Sequence, residues 1–212
     1  MALLLIKARS KVVQTLLTEG SSASVAPVVY FYCKRVAAEP QRADPNEVLR
    51  ALLKQICRYN KNVKEKAVRE YEKRKEEAEI HGSKPAKLTG PECTELMTVF
   101  TKTSPATIII DALDECERSR RNELLKALLD LQKSAKQLKV FISSRDEDNI
   151  VPKLEGVPNI YIRASDNEVD IARFVEQRVH MLIYYGELPS EVMSDRLKTW
   201  LITTLVNGAQ GM

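Results

Sequence analysis

Three stretches of the chain are apolar at consecutive positions: PVVYFYC from Pro27 to Cys33, TIII from Thr107 to Ile110, and the run within LKVFISSR from Leu138 to Arg145. A strand with one face in water alternates apolar and polar residues, so runs without that alternation predict strands covered on both faces. Between them the apolar period changes to that of a helix. Asp44 as N-cap, Pro45 at the first helical position and Glu47 three residues after the cap introduce a stripe of Val48, Leu49, Leu52, Leu53 and Ile56. Leu124, Leu125, Leu128 and Leu129 make a second stripe, and Ile171, Phe174, Val175 and Leu182 a third. Buried strands separated by helices predict an α/β fold with a parallel sheet between helical layers, whose ligands bind beyond the carboxyl ends of the strands.

The segments between these landmarks are less apolar. From Asn62 to Ile80 the chain is rich in Glu, Lys and Arg, with Glu65 to Arg69 and Glu70 to Arg74 spaced for i,i+4 pairing, which predicts a solvated helix. A loop from His81 to Pro91 carries two glycines and two prolines, and a short helix follows from about Glu92 to Phe100. A weaker strand is expected from Asn159 to Arg163 and a last helix from about Glu191 to Val206. The opening MALLLIKARSKVVQTLL has Lys7, Arg9 and Lys11 but no acid before Glu19, the composition of a mitochondrial transit peptide. It also reads as an amphipathic core helix with Leu5, Val12, Val13 and Leu16 on one side, and the surrounding pattern favours that reading.

Composition excludes some classes of function. At 212 residues and 44% hydrophobic content, one domain buries roughly 70% of its unfolded surface. The net charge of +4 comes from lysines and arginines interleaved with glutamates, so no basic stripe points to nucleic acid. Cys33, Cys57, Cys93 and Cys116 form no CxxC pair, and His81 and His180 add no zinc spacing, which suits a reduced, cytoplasmic chain. No apolar run reaches the length of a membrane span, so no membrane partner is expected.

The chemistry concentrates in TIIIDALDEC, where the isoleucine run meets Asp111, Asp114 and Glu115. Four apolar residues followed by Asp, a small residue, a hydrophobe, Asp and Glu have the pattern of a Walker B strand, in which the first acid holds Mg²⁺ and a later one orients the attacking water. The same residues also suit a second reading, in which Asp114 and Glu115 cap the next helix and face its dipole, an interaction of roughly 0.3–1 kcal/mol.

TIIIDALDEC, followed by VFISSRDEDNI, resembles the NACHT nucleotide-binding domain of fungal NOD-like receptors, a branch of the signal-transduction ATPases with numerous domains. VVYFYCKR, ADPNEVLRALLKQIC, VREYEKRKEE, DNEVDIARFVEQRV and LITTLVNGAQGM are similar to NACHT stretches in the same order. The resemblance implies a three-layer α/β fold of the P-loop NTPase type, with a partial nucleotide-binding core over residues 1–163 and the start of a helical region over 164–212. It implies Mg²⁺ with ATP or GTP as cofactors in the parent family. It also implies roles: Asp111 as the metal acid, Asp114 and Glu115 as the catalytic pair near the attacking water, and Arg145 as the sensor of the γ-phosphate. Without the family, Arg145 reads as a strand-end arginine paired with Asp146 or Glu147.

One part of the pattern is missing. A phosphate loop has the spacing GxxxxGK[ST], and none of the seven glycines precedes a lysine. The expectation is therefore a fragment or truncation that lacks the first strand and the phosphate loop, binds no nucleotide tightly and does not hydrolyse it. The absent strand is expected to leave a gap beside the strand that ends in Asp111, and that gap to favour self-association or pairing with another NACHT-type protein. The alternative function is a non-catalytic protein-interaction module.

Overall fold

The computed structural model describes Val13, Thr15 and residues 26–135, 137–161, 168–189 and 193–208. Val13 and Thr15 are helical, and Val13 is fully buried. Leu5, Val12 and Leu16 of the expected first helix lie outside the described residues. The chain divides into two compact units, residues 1–155 and 156–212.

In the first unit the three apolar runs form β1 (Val28–Tyr32), β2 (Ala106–Asp111) and β3 (Leu138–Ile142). They pair in parallel in the order β1-β2-β3, with Val29 opposite Ile108 and Ile109 opposite Phe141. This is an α/β fold with a parallel sheet, as the sequence predicts. The order corrects one expectation: the strand ending in Asp111 borders no gap, because β1 pairs along one edge and β3 along the other. Nor do residues 159–161 form a strand, and Ile160 and Tyr161 are exposed; Ile162 and Arg163 lie outside the described residues.

The helices of this unit are α1 (Pro45–Ile56), α2 (Lys61–Ile80), α3 (Gly90–Thr101) and α4 (Arg121–Ser134). Asp44 caps α1 by accepting from the Asn46 N–H at 2.8 Å, and all five stripe residues of α1 are buried. Such burial contributes roughly 1.5–3 kcal/mol per large side chain. The main core joins this stripe to Val29, Ile108, Ile110 and Leu138 of the sheet, to Met97 and Phe100 of α3, and to Leu124, Leu125, Leu128 and Leu131 of α4. Leu131 takes the place in the core expected of Leu129, which stays partly exposed. The opposite face of the sheet buries Val28 and Ile109 against Val13, beside the edge-to-face pair Tyr30 and Tyr32. Strands covered on both sides explain why β1 and β2 are apolar without alternation.

Edge strand β1 is blunted by a side chain. Gln55 of α1 accepts from the Tyr30 N–H at 3.1 Å and donates to the Tyr30 carbonyl at 2.8 Å, which satisfies main-chain groups that would otherwise template another strand. Helix α2 is solvated as expected, although Glu65 pairs with Lys61 and not Arg69; Glu70 does pair with Arg74. In the second unit, α5 (Glu168–Tyr184) and α6 (Asp195–Gly208) pack on each other. Val179 is the buried residue of α5, whereas Phe174, expected in its apolar stripe, is exposed. No helix among the described residues is long and apolar enough to cross a membrane.

Candidate functional site

The carboxyl ends of the three strands bring together Cys33 to Arg35, Asp111 to Cys116 and Ser143 to Arg145. Hydrogen bonds clamp β2 to β3 there: the Ser143 N–H donates to the Ile110 carbonyl and the Leu113 N–H to the Ser143 carbonyl, both at 2.9 Å. The Ser143 hydroxyl donates to the Asp111 carboxylate and accepts from the Ala112 N–H. Ala112 turns the chain in the left-handed region, at φ 56°. A residue with a Cβ costs roughly 1–2 kcal/mol in that conformation, so the clamp must hold the turn against strain.

That turn sends the three acids to separate partners. Asp111 stays with Ser143. Asp114 is buried in the short 3₁₀ turn Leu113–Glu115; its Oδ1 accepts from the Arg145 N–H at 3.2 Å, and its Oδ2 lies 3.7 Å from Arg145 Nε. Glu115 accepts from the Arg35 N–H at 3.1 Å. Neither Asp114 nor Glu115 caps the following helix, since α4 begins at Arg121 with Arg120 at the cap position. Arg145 pairs with neither Asp146 nor Glu147; its side chain is 83% exposed, and its ion-pair partner is Asp114. Among the described residues no group of three or more His, Cys, Asp or Glu converges on a metal position.

The residue that organises the turn is one the sequence does not single out. Arg121, at the first position of α4, is fully buried. Its Nη1 donates to Glu147 at 2.6 Å and to Asn149 Oδ1 at 3.0 Å, while Nη2 donates to the carbonyls of Asp114 and Cys116. Arg35 Nη2 reaches the same two carbonyls, at 3.1 and 2.9 Å. Two guanidinium groups thus grip the acidic turn from both sides. The Arg121 Nε has no partner, a cost accepted for the other four bonds. The available signal was a cation at a helix N-terminus, where the dipole disfavours it. Arg118 and Arg120 beside it share that signal and hide it.

Cys33 and Cys116 are both buried in the main core here, and Cys116 Sγ lies 3.1 Å from the Ala43 carbonyl. Interaction with the Cys116 side chain, followed by burial, raises the Cys33 pKa far above the usual thiol range, and interaction with Cys33 lowers that of Cys116.

The geometry makes Asp111→Asn a sharp test of whether its charge is used. Asparagine keeps an acceptor for Ser143. The substitution should leave unfolding within about 0.5 kcal/mol of the parent chain. A loss above about 1 kcal/mol in denaturant unfolding would mean that a cation holds the carboxylate.

A model of the nephrocystin 3 N-terminal family matches residues 8–145, a span that includes Asp111, Asp114, Glu115 and Arg145. This family is not the NACHT domain that the motifs resemble. No curated protein matches the chain. The match covers well over half of the 212 residues, and the chain belongs to the nephrocystin 3 N-terminal family.

Proposed function

We propose that the chain is part of a nucleotide-dependent signalling switch of the NACHT type, with Asp111 as the Mg²⁺ acid and Arg145 as the γ-phosphate sensor. One observation carries this reading: an acid at the end of the central strand is hydrogen-bonded to a serine at the end of the next strand, two residues before an exposed arginine. A carboxylate with a neighbouring hydroxyl is a set of hard oxygen donors, which fits Mg²⁺ and its waters. Bound there, Mg²⁺ would neutralise phosphate charge. Asp111 would orient its waters, Ser143 would fix the carboxylate, and Arg145 would meet the terminal phosphate. Asp114 and Glu115 have a different part in this scheme, because both carboxylates are engaged by residues 145 and 35 and act by holding the strand ends in place.

The triphosphate cradle is not among these 212 residues, since the spacing GxxxxGK[ST] does not occur. Positioning supplies most of the catalysis in phosphoryl transfer, so this chain alone should not hydrolyse ATP or GTP. Isothermal titration with Mg-ATP and Mg-GTP should give no binding tighter than about 1 mM, roughly −4 kcal/mol. Photolabelling with millimolar azido-ATP and Mg²⁺ tests the site itself. Label should map to the strand ends around residues 33–35, 111–118 and 143–147, and fall in Asp111→Asn. Label elsewhere, or label indifferent to Asp111, would sink the nucleotide reading and favour the alternative that the absent loop suggests, a non-catalytic protein-interaction module. A cytoplasmic location and association with a second copy or another switch protein belong to the same proposal.

A further inference from the structure

Away from the strand ends, helices α1 and α2 and the loop before α3 enclose a cavity of about 300 Å³. Its walls are apolar: Leu53 from α1, Ala67 from α2, and Pro85 and Leu88 from the loop. Two arginines pin that loop across the gap between the helices. Arg50 of α1 donates to the Leu88 carbonyl, and Arg74 Nη1 of α2 donates to the Lys87 carbonyl at 2.8 Å. The space is held open by bonds within the fold, so it is formed before any ligand arrives, and its volume is at the lower end of the range for small-molecule sites. The exposed ring of Tyr71 and the thiol of Cys57 also line it. Of the four free cysteines, Cys57 alone is partly exposed.

Charge at the rim has one sign. Arg50, Lys54, Arg74 and Lys87 all border the cavity, and among the described residues no acid does. Three of these cations are already engaged: Arg50 and Lys87 meet Glu47 at 3.0 and 2.6 Å, and Arg74 meets Glu70 and Glu92. Lys54 is exposed and pairs with no carboxylate among the described residues.

We propose that this cavity is a binding site for a small aromatic carboxylate, whose ring fills the apolar space beside Tyr71 and whose anion meets Lys54. Apolar walls favour the transfer of a hydrocarbon body out of water. The Tyr71 ring offers an aromatic partner a face or an edge. The single unengaged cation calls for a single negative charge, held where Lys54 meets solvent. No residue of the strand-end site lines the cavity, so this proposal and the nucleotide reading stand or fall separately.

The probe is 2-naphthoate, and 2-naphthalenemethanol, the same ring without the charge, is its control. Isothermal titration of the whole chain with 2-naphthoate should give one site with a Kd of about 100 µM. The alcohol should bind about fivefold more weakly, and Lys54→Gln should weaken the naphthoate by a similar factor while leaving the alcohol unchanged. Ala67→Leu fills the space and should remove the binding of both. Cys57 reports the position. With naphthoate at about ten times its Kd, alkylation of Cys57 by iodoacetamide, read on the tryptic peptide Gln55–Arg58, should slow about tenfold. The proposal falls if 2-naphthoate gives no heat up to about 1 mM, if it binds without protecting Cys57, or if the alcohol binds as tightly. Protection in the parent chain decides the matter even if a variant does not fold.

Discussion

Arg121→Ala should destabilise the first unit by about 2–5 kcal/mol, the range for truncating a large, fully buried side chain. On thermal unfolding that is a drop on the order of 10 °C. The loss has two sources. Alanine leaves a cavity in a fully buried position, and it frees Glu147 and Asn149 from the guanidinium that holds them at 2.6 and 3.0 Å. The carbonyls of Asp114 and Cys116 are not orphaned, because Arg35 still reaches both. Arg121→Met separates the sources. It refills most of the volume, and Glu147, about a third exposed, can turn to water, so its cost should be smaller than that of alanine. A loss below about 1 kcal/mol for alanine would show that Arg121 does not organise the turn.

The same pair sets a pH dependence. The hydrogen bond from Arg121, more than their attraction, holds the Glu147 carboxyl below its ordinary value of 4.5, against the opposing effect of desolvation. A carboxylate whose pKa is depressed on folding contributes stability that is present above the unfolded value and lost as pH falls through the folded one. Glu147→Gln should therefore flatten the acid side of the stability profile below about pH 4.5 and leave its neutral side unchanged in slope.

How much of this was legible in the sequence depended on whether the cause was local. The start and the buried stripe of helix α1 were readable, because cap, proline and stripe are consecutive in the chain, although the Glu47 carboxylate pairs with Arg50 and Lys87 and does not complete a capping box. Strands β1 and β2 were legible for a similar reason, since burial on both faces leaves its mark within each one, whereas β3, expected to be covered on both faces, alternates and exposes Lys139 and Phe141. Their neighbours were not. Val29 and Ile108 are 79 positions apart yet pair, and nothing inside either run names the other. That is why the Asp111 strand was expected beside a gap when β3 in fact fills the position.

The site misled in a different way. Asp111, Asp114 and Glu115 look like one cluster because they are close in sequence, but the left-handed Ala112 and the 3₁₀ turn divide them among Ser143, Arg145 and Arg35. Conversely, Arg121 sits in SRRNELL, a stretch that reads as a solvated first turn. Which of three neighbouring arginines goes inward is decided by carbonyls and a carboxylate from other segments, and a local pattern carries no record of them.

Leu113 is the apolar counterpart of Arg121, and it ties the acids to the core directly. It lies between Ala112 and Asp114, is fully buried, and belongs to the main core with residues of α1, α3 and α4. Leu113→Ala should cost about 2–5 kcal/mol, the transfer of the lost methyl groups plus the cavity they leave. It should also do something a core substitution elsewhere does not. Ala112 sits at positive φ between the Ser143 clamp and the buried Leu113, so the expectation is that a turn losing this apolar anchor relaxes towards an ordinary conformation and releases the clamp. Amide hydrogen exchange distinguishes the two effects. In Leu113→Ala, protection of residues 112–116 and of Ser143 and Arg145 should fall further than that of Leu52 or Leu128. A control such as Leu128→Ala, equally buried in α4, should lower stability by a similar amount without this local excess. If the two variants exchange alike along the whole first unit, the turn is held by the general stability of the fold, and the anchoring role given to Leu113 is wrong.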